Sequence, residues 1–371
     1  SKHFGLRKND EDCLVYHMTH LGNLSRKAFL RKSSCLAIGV LGSSKLNEAQ
    51  AAGIAKNYKG IDTGKYLGEV EKITEVVDRK VFLEGPAVDG EGNVFFTNVP
   101  MEKILKWSPK RKKLSAFREK SNKANGLLFD TMGRLLACEG GARSVTRSDM
   151  DNGKSKVLAD KFNGFPLAAP NDLELTASGK LFFTSRPGTN DAKKGNPNAV
   201  YRLDLDTKLP GGRIIHQVLA WPEVHMPNGI VISPDDKTLY LIEAHSAANH
   251  NRNILAFDLS SDGSLSNRRV HIDFYPGRSG DGMCIDAKGN LYVAAGLHKT
   301  RRTSETLDTR PGIHVISPQG KLLAFRETPT DTITNCTFGG KDLRTLYVTC
   351  GAFLLSMRTN LPGKASYRPK P

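Results

Sequence analysis

Glu84, Asn171, Asn228 and Asp281 are the residues of this chain whose types and spacing best suit joint chemistry. Each opens a short polar string: Glu84-Gly85-Pro86, Asn171-Asp172, Asn228-Gly229 and Asp281-Gly282. Two further strings, Asn125-Gly126 and Asn335-Cys336, share the pattern. All six stand ten or eleven residues ahead of a strand-like run, beginning at Val94, Leu135, Leu181, Leu239, Leu291 or Leu346. Two carboxylates and two carboxamides are hard oxygen donors. They suit calcium, which takes about 6–8 oxygens and tolerates irregular geometry. No His or Cys occupies a lead position, which disfavours zinc. Asn-Gly and Asp-Gly also serve as plain turn residues, but a turn does not account for Glu84 in the same register. The expected cofactor is one divalent cation, calcium first, with other divalent metals open.

For these side chains to meet, the elements that carry them must repeat around an axis. The strings recur at intervals of roughly forty to sixty residues, at or somewhat above the spacing of propeller blades. Each is followed by strand, tight turn and strand, as in Ala87-Val88-Asp89, Gly90-Glu91-Gly92-Asn93, Val94-Phe95-Phe96-Thr97. Third and fourth runs such as Ile104–Trp107, Ala199–Leu203 and Ile254–Phe257 follow in most repeats. The last repeat stops early at Phe353–Met357, while an unassigned run, Ile73–Val77, precedes the first. The expectation is an all-β, six-bladed β-propeller with four-stranded antiparallel blades, its ring closed by that N-terminal strand, which removes free edges. The second strands would end near Asn98, Glu139, Ser185, Glu243, Ala295 and Cys350 on the face that carries the lead residues. The loops beyond them bring Arg143, Arg186, His245 and His298 to the wall of a pocket.

The net charge is +16 over 371 residues, which raises the question of an anionic partner. The basic residues are scattered, and the densest run, Lys103–Arg118, is interleaved with strand residues. It reads as a lysine-protected blade edge rather than a nucleic-acid surface. Residues 1–51 have another chemistry. Ser25-Arg26-Lys27-Ala28-Phe29-Leu30 precedes a short apolar stretch, Cys35–Leu41, and a small-residue site, Ala49-Gln50-Ala51. That is the layout of an export signal, of twin-arginine type with Lys27 at the second arginine, and Met18 is a candidate start. The expected organisation is residues 1–51 as export region, 52–66 as linker and 67–371 as propeller. Destination would be periplasmic or extracellular, with no nucleic-acid partner, no membrane attachment after signal removal, and a monomer or dimer. Cys138, Cys284, Cys336 and Cys350 lack metal-site spacing. Cys336 and Cys350 could bridge a hairpin, although buried thiols are the simpler reading.

The strings Glu84-Gly85-Pro86, Pro170-Asn171-Asp172, Pro227-Asn228-Gly229-Ile230 with Ser233-Pro234-Asp235, and Asp281-Gly282-Met283-Cys284-Ile285-Asp286 together resemble the senescence marker protein/gluconolactonase/luciferin-regenerating family. Phe338-Gly339-Gly340 and Asp342–Thr349 resemble its carboxy-terminal signature, so the likeness spans about residues 70 to 360. The resemblance implies one catalytic calcium and hydrolysis of a lactone or sugar-acid lactone. Some relatives instead cleave phosphoesters. By the resemblance, Glu84, Asn228 and Asp281 ligate the metal, Asn171 ligates or adjoins it, and Asp281 also acts as base or nucleophile. The family's arginine two residues before Asn171 is Ala169 here. Around this floor, His245 is a candidate proton donor to a leaving alkoxide, or a loop histidine bonded to backbone. Asn125, Glu139, Asn171, Arg186 and His298 are candidate substrate-binding residues, and Glu139 and Arg186 could instead pair with each other. A phosphotriesterase-type hydrolase on the same floor, and a non-catalytic propeller binding a sugar or peptide, are the competing readings.

Overall fold

A computed structural model describes residues 58–364, apart from 152–153, 190, 192–193 and 206–213. The export-signal reading of residues 1–51 lies outside the described residues. The described chain forms six four-stranded antiparallel sheets, plus a short hairpin of Lys161–Phe162 with Phe165–Pro166. Each sheet is a blade in simple up-and-down order. The first, for example, runs Leu83–Val88, Val94–Asn98, Lys103–Ser108, Lys113–Glu119. The innermost strands of consecutive blades pack on one another all the way round, and Leu83–Val88 also meets Ile333–Gly339 of the sixth blade. The ring is closed as expected, because Glu71–Glu75 pairs antiparallel with Phe353–Arg358 and supplies the sixth blade's fourth strand. No strand edge is left between first and last repeat.

Burial on both faces explains the core. In a blade both faces are covered by neighbours, so strands such as Val94–Asn98, Leu135–Glu139 and Leu291–Ala295 are buried at every residue. Six apolar clusters result, one in each gap between adjacent blades; Leu136, Leu173, Phe183 and Tyr201 fill that between the second and third. The turns joining first and second strands share one chemistry. Asp89 Oδ1 accepts the N–H groups of Glu91 and Asn93, and Asp130 and Asp286 do the same in their blades. The acidic side chain thereby mimics a backbone turn, and a positive-φ residue such as Gly92 (φ 84°) completes it. Before the first blade strand, Tyr58 and Thr63 bond to the fifth blade through His314 and the Phe325 carbonyl.

The inner strands depart from regular pairing at one place in every blade, between Glu84 and Ala87, Ala124 and Leu127, Pro170 and Leu173, Pro227 and Ile230, Gly280 and Met283, and Ile333 and Asn335. Such irregularities re-aim side chains at the rims of closed sheets. Val88, Phe129, Leu175, Ile232, Ile285 and Phe338 pair with Val94, Leu135, Leu181, Leu239, Leu291 and Leu346, the equivalent apolar residue near the start of each second strand. Four residues earlier stand Glu84, Asn125, Asn171, Asn228, Asp281 and Thr334. The sixth lead position is therefore Thr334, a correction to the reading of Asn335. The sixth turn is longer: Phe338 and Leu346 enclose seven residues where Val88 and Val94 enclose five. A count made backward from the strand start consequently lands one residue late.

Candidate metal centre

The lead residues form a floor across one end of the axis. Glu84, Asn171, Asn228 and Asp281 are all buried, and Asn125 is half-buried. Asn228 Nδ2 donates to Asp281 Oδ1 at 2.7 Å, and Arg278 Nη2 meets Asp281 Oδ2 at 2.5 Å. Arg278 Nη1 also donates to the carbonyls of Ile333 and Gly296. Thr334 turns its hydroxyl away, to the Leu83 carbonyl at 2.6 Å. Glu84 is different. The one hydrogen bond its carboxylate receives from the described residues is the Gly85 N–H at 3.3 Å. Burial, and then the charges of Asp281 and Asp172, push its carboxyl well above the ordinary value, while Arg186 offsets this only weakly. Asp281 thus has Arg278 as its counter-charge, whereas the buried Glu84 has no cation in contact among the described residues.

One residue further along each inner strand lie Gly85, Gly126, Asp172, Gly229, Gly282 and Asn335. Four glycines leave the axis to two side chains, and Asn335 Nδ2 reaches Asp172 Oδ2 at 3.4 Å. Asp172 also accepts the Leu173 N–H, yet burial still pushes its carboxyl up to about 7. This layer divides two cavities. The larger, about 560 Å³, opens beneath it among Leu128, Ile230, Met283 and Ile285 and is lined by none of the six lead residues. The smaller, about 250 Å³, lies on the floor side and is lined by Arg186, Asn228, Ser246, Arg278, Asp281 and Arg301.

The structure brings Glu84, Asn228, Asp281 and Arg186 together electrostatically or by direct bonds. Asn171 and Asn125 stand at equivalent positions on the same ring of inner strands. Glu139 is engaged elsewhere: Arg118, Asn122 and Thr146 all donate to its carboxylate at 2.5–2.7 Å. It pairs with Arg118 of the first blade rather than with Arg186. His298 Nε2 lies 2.9 Å from the Thr328 carbonyl, and its backbone N–H bonds Asp331. His245 sits between Ala244 and Ser246, which line the smaller cavity, but its own ring stacks on His250 at 3.8 Å and Nδ1 accepts the Ala247 N–H. Burial and the nearby His250 and His225 lower the His245 pKa. The four cysteines among the described residues are free; Cys284 and Cys336 Sγ approach to 3.5 Å, and Cys350 turns to Thr330.

Sequence reasoning missed Arg278, whose only signal was a basic residue three positions before Asp281. It also missed Arg252, which is fully buried and holds two wall loops by donating to the carbonyls of His245, Ser246, Ala247, Pro276 and Ser304. Glu243, at the end of its strand, accepts the N–H groups of His225 and Met226; burial pushes its carboxyl up to about 7.

With this geometry, the SMP-30/Gluconolactonase/LRE-like region matches residues 82–352, from the first inner strand to the sixth blade. The chain belongs to that family. It is 25% identical to a gluconolactonase of Zymomonas mobilis, over 92% of this chain and 99% of the relative. It is 36% identical to the regucalcin of Bos taurus, over 71% of this chain and 80% of that protein. Among solved structures, a gluconolactonase from Xanthomonas campestris superposes with a TM-score of 0.65 at 27% identity, covering 81% of this chain and 93% of that one. Among the described residues no three His, Cys, Asp or Glu side chains gather as a ligand set. The floor's donors are instead mixed, carboxylates from Glu84 and Asp281 and carboxamides from Asn171 and Asn228. That set, with Glu84 lacking a counter-charge in contact, fits a hard divalent cation.

Proposed function

We infer that this propeller is a calcium-dependent lactonase that opens a small sugar-type lactone on the Glu84–Asp281 floor. The observation that carries the reading is the buried Glu84 carboxylate, which feels the charge of Asp281 and has, among the described residues, only the Gly85 N–H as a bond partner. Glu84, Asn228 and Asp281 would hold the ion, with Asn171 beside them. When bound, calcium would polarise the lactone carbonyl and favour charge developing on its oxygen. The gluconolactonase names of two relatives support lactone chemistry.

The chain's own residues define the rest. Arg278 fixes Asp281 Oδ2, so Oδ1 is held on the Asn228 side, at the wall of the cavity. From there Asp281 either takes the proton of an attacking water or attacks the carbonyl itself. Arg252 clamps the loops that carry Ser246 and Ser304, which holds Ser246 in place at the wall of the cavity. His245, with its ring stacked on His250, is placed to act on the substrate only after the ring turns.

The test is acid release followed with a pH indicator on several lactones, with and without chelator. Turnover abolished by chelation and restored by calcium is expected. Full activity in the presence of excess chelator would sink the metal-dependent scheme. Export is carried forward from the Ser25–Leu30 and Ala49–Ala51 pattern; amino-terminal sequencing of secreted material, starting near residue 52, is its check.

A further inference from the structure

Arg186 follows the second strand of the third blade, its backbone N–H donating to the Ala169 carbonyl at 2.8 Å, and it lines the smaller cavity. Among the described residues its guanidinium makes no salt bridge and no side-chain hydrogen bond, and Nε is buried without an acceptor. Arg186 as a residue is half-buried, and an Nε–H shut off from water without an acceptor is unfavourable. Asp281, Glu84 and Glu243 are near enough to attract it, but none is in contact. Arg278, by contrast, is occupied by Asp281 and two carbonyls. Arg301 adds a third arginine to the wall, against Asp281 and Glu305, and Glu305 already accepts the Thr303 hydroxyl. A cation held by Glu84 and Asp281 would claim the two carboxylates that attract Arg186. The wall would then carry positive charge in excess, with a planar fork of donors facing the substrate space.

We propose that Arg186 sets substrate class: the site takes a lactone that carries an anionic substituent, carboxylate or phosphate, away from the reacting carbonyl. The inference rests on the lactonase reading above. A guanidinium binds either group through two parallel bonds, which gives orientation as well as attraction. The bonds form only with the anionic lactone, so preference is expressed in kcat/KM ratios rather than in overall activity.

The experiment compares kcat/KM for D-glucono-1,5-lactone, a D-glucaric acid monolactone and 6-phosphogluconolactone, on wild type, Arg186→Gln and Arg186→Lys. Wild type is expected to favour at least one anionic lactone over the neutral one by tenfold or more; which one distinguishes carboxylate from phosphate. Arg186→Gln should erase that preference, and Arg186→Lys, which keeps charge and loses the fork, should fall between. A wild type that prefers the neutral lactone, or an Arg186→Gln variant that lowers all three equally, overturns the proposal. If no lactone is turned over, the lactonase reading fails separately. Calorimetric titration with D-glucarate, 6-phosphogluconate and D-gluconate in excess calcium then decides the anion site. Tighter binding of one of the first two, lost in Arg186→Gln, upholds it; equal binding of all three, or none, refutes it.

Discussion

Asn335 donates to Asp172 across the propeller axis at 3.4 Å, one residue beneath the lead positions, in space that Gly282 and Gly126 leave free. A Cβ on Gly282 would lie 2.1 Å from Asn335 Cγ, and one on Gly126 would lie 2.6 Å from Asp172 Oδ1. Glycine here is a requirement of packing across the ring rather than of local backbone conformation. The floor rests on this layer, which separates it from the larger cavity below.

A methyl group at position 282 therefore has a specific outcome. Gly282→Ala should lower stability by roughly 1–3 kcal/mol, the usual range for overpacking a filled core. The atoms struck belong to the Asn335 side chain, so Asn335→Ala in the same chain should recover part of the loss. Urea unfolding of both single variants and the pair would show a non-additive cycle. Strict additivity would mean that the layer is not shared.

Both floor carboxylates should matter to calcium, and Asp281 to turnover besides. Calcium at a hundred times its dissociation constant should raise unfolding free energy by about 2.7 kcal/mol. Glu84→Gln should abolish that gain, since it removes the carboxylate left without a counter-charge. Asp281→Asn should lower kcat by roughly 10²–10⁴-fold, the scale of a lost general base. Thermal shift with and without calcium, beside steady-state rates, reads both. A Glu84→Gln protein that still gains calcium stability in full would contradict the ligand assignment.

His271 gives the fold a defined acid sensitivity. Burial pushes its pKa down to about 4, with Arg269 acting in the same direction and the Ser317 carbonyl opposing. The unfolded chain binds this proton near the ordinary value of about 6.5. Stability from the neutral ring is thus complete above pH 6.5 and declines as pH falls toward 4, by about 3 kcal/mol in all. His314, buried against Tyr58, Phe274 and Phe325 and lowered to about 3 by burial, extends the same trend. His271→Gln keeps a donor to Ser317 and removes the titration. Denaturation midpoints measured between pH 7.5 and 4.5 should then fall less steeply. The variant isolates the ring from Asp172 and Glu243, whose raised carboxyls work in the opposite sense.

Arg252 is expected to matter out of proportion to its distance from Asp281. Removing it strands carbonyls of His245, Ser246, Ala247, Pro276 and Ser304. A hydrogen bond from a charged donor contributes about 1.5–3 kcal/mol net to stability. Arg252→Met should loosen both wall loops before the blades themselves yield. Limited proteolysis should show new cuts at residues 245–251 and 301–306, with a rise in KM. Unchanged cleavage would show that the loops hold without it.

The amino-acid order alone determined the blades, because alternation, Asp-led turns and a leftover strand such as Ile73–Val77 are local signals that repeat. It also marked Glu84, Asn228 and Asp281, since one side chain per repeat at constant spacing must converge once strands form a ring. Asn335 escaped correct placement because a longer sixth turn shifts the count without changing the local pattern. What only the tertiary structure decided is partnership. Glu139 went to Arg118 on the neighbouring blade, Arg278 to Asp281 and Arg252 to two loops, while Arg186 was left half-buried with its Nε unpaired. Those outcomes depend on how adjacent blades twist against each other, a through-space relation between residues up to 52 positions apart that no linear pattern records.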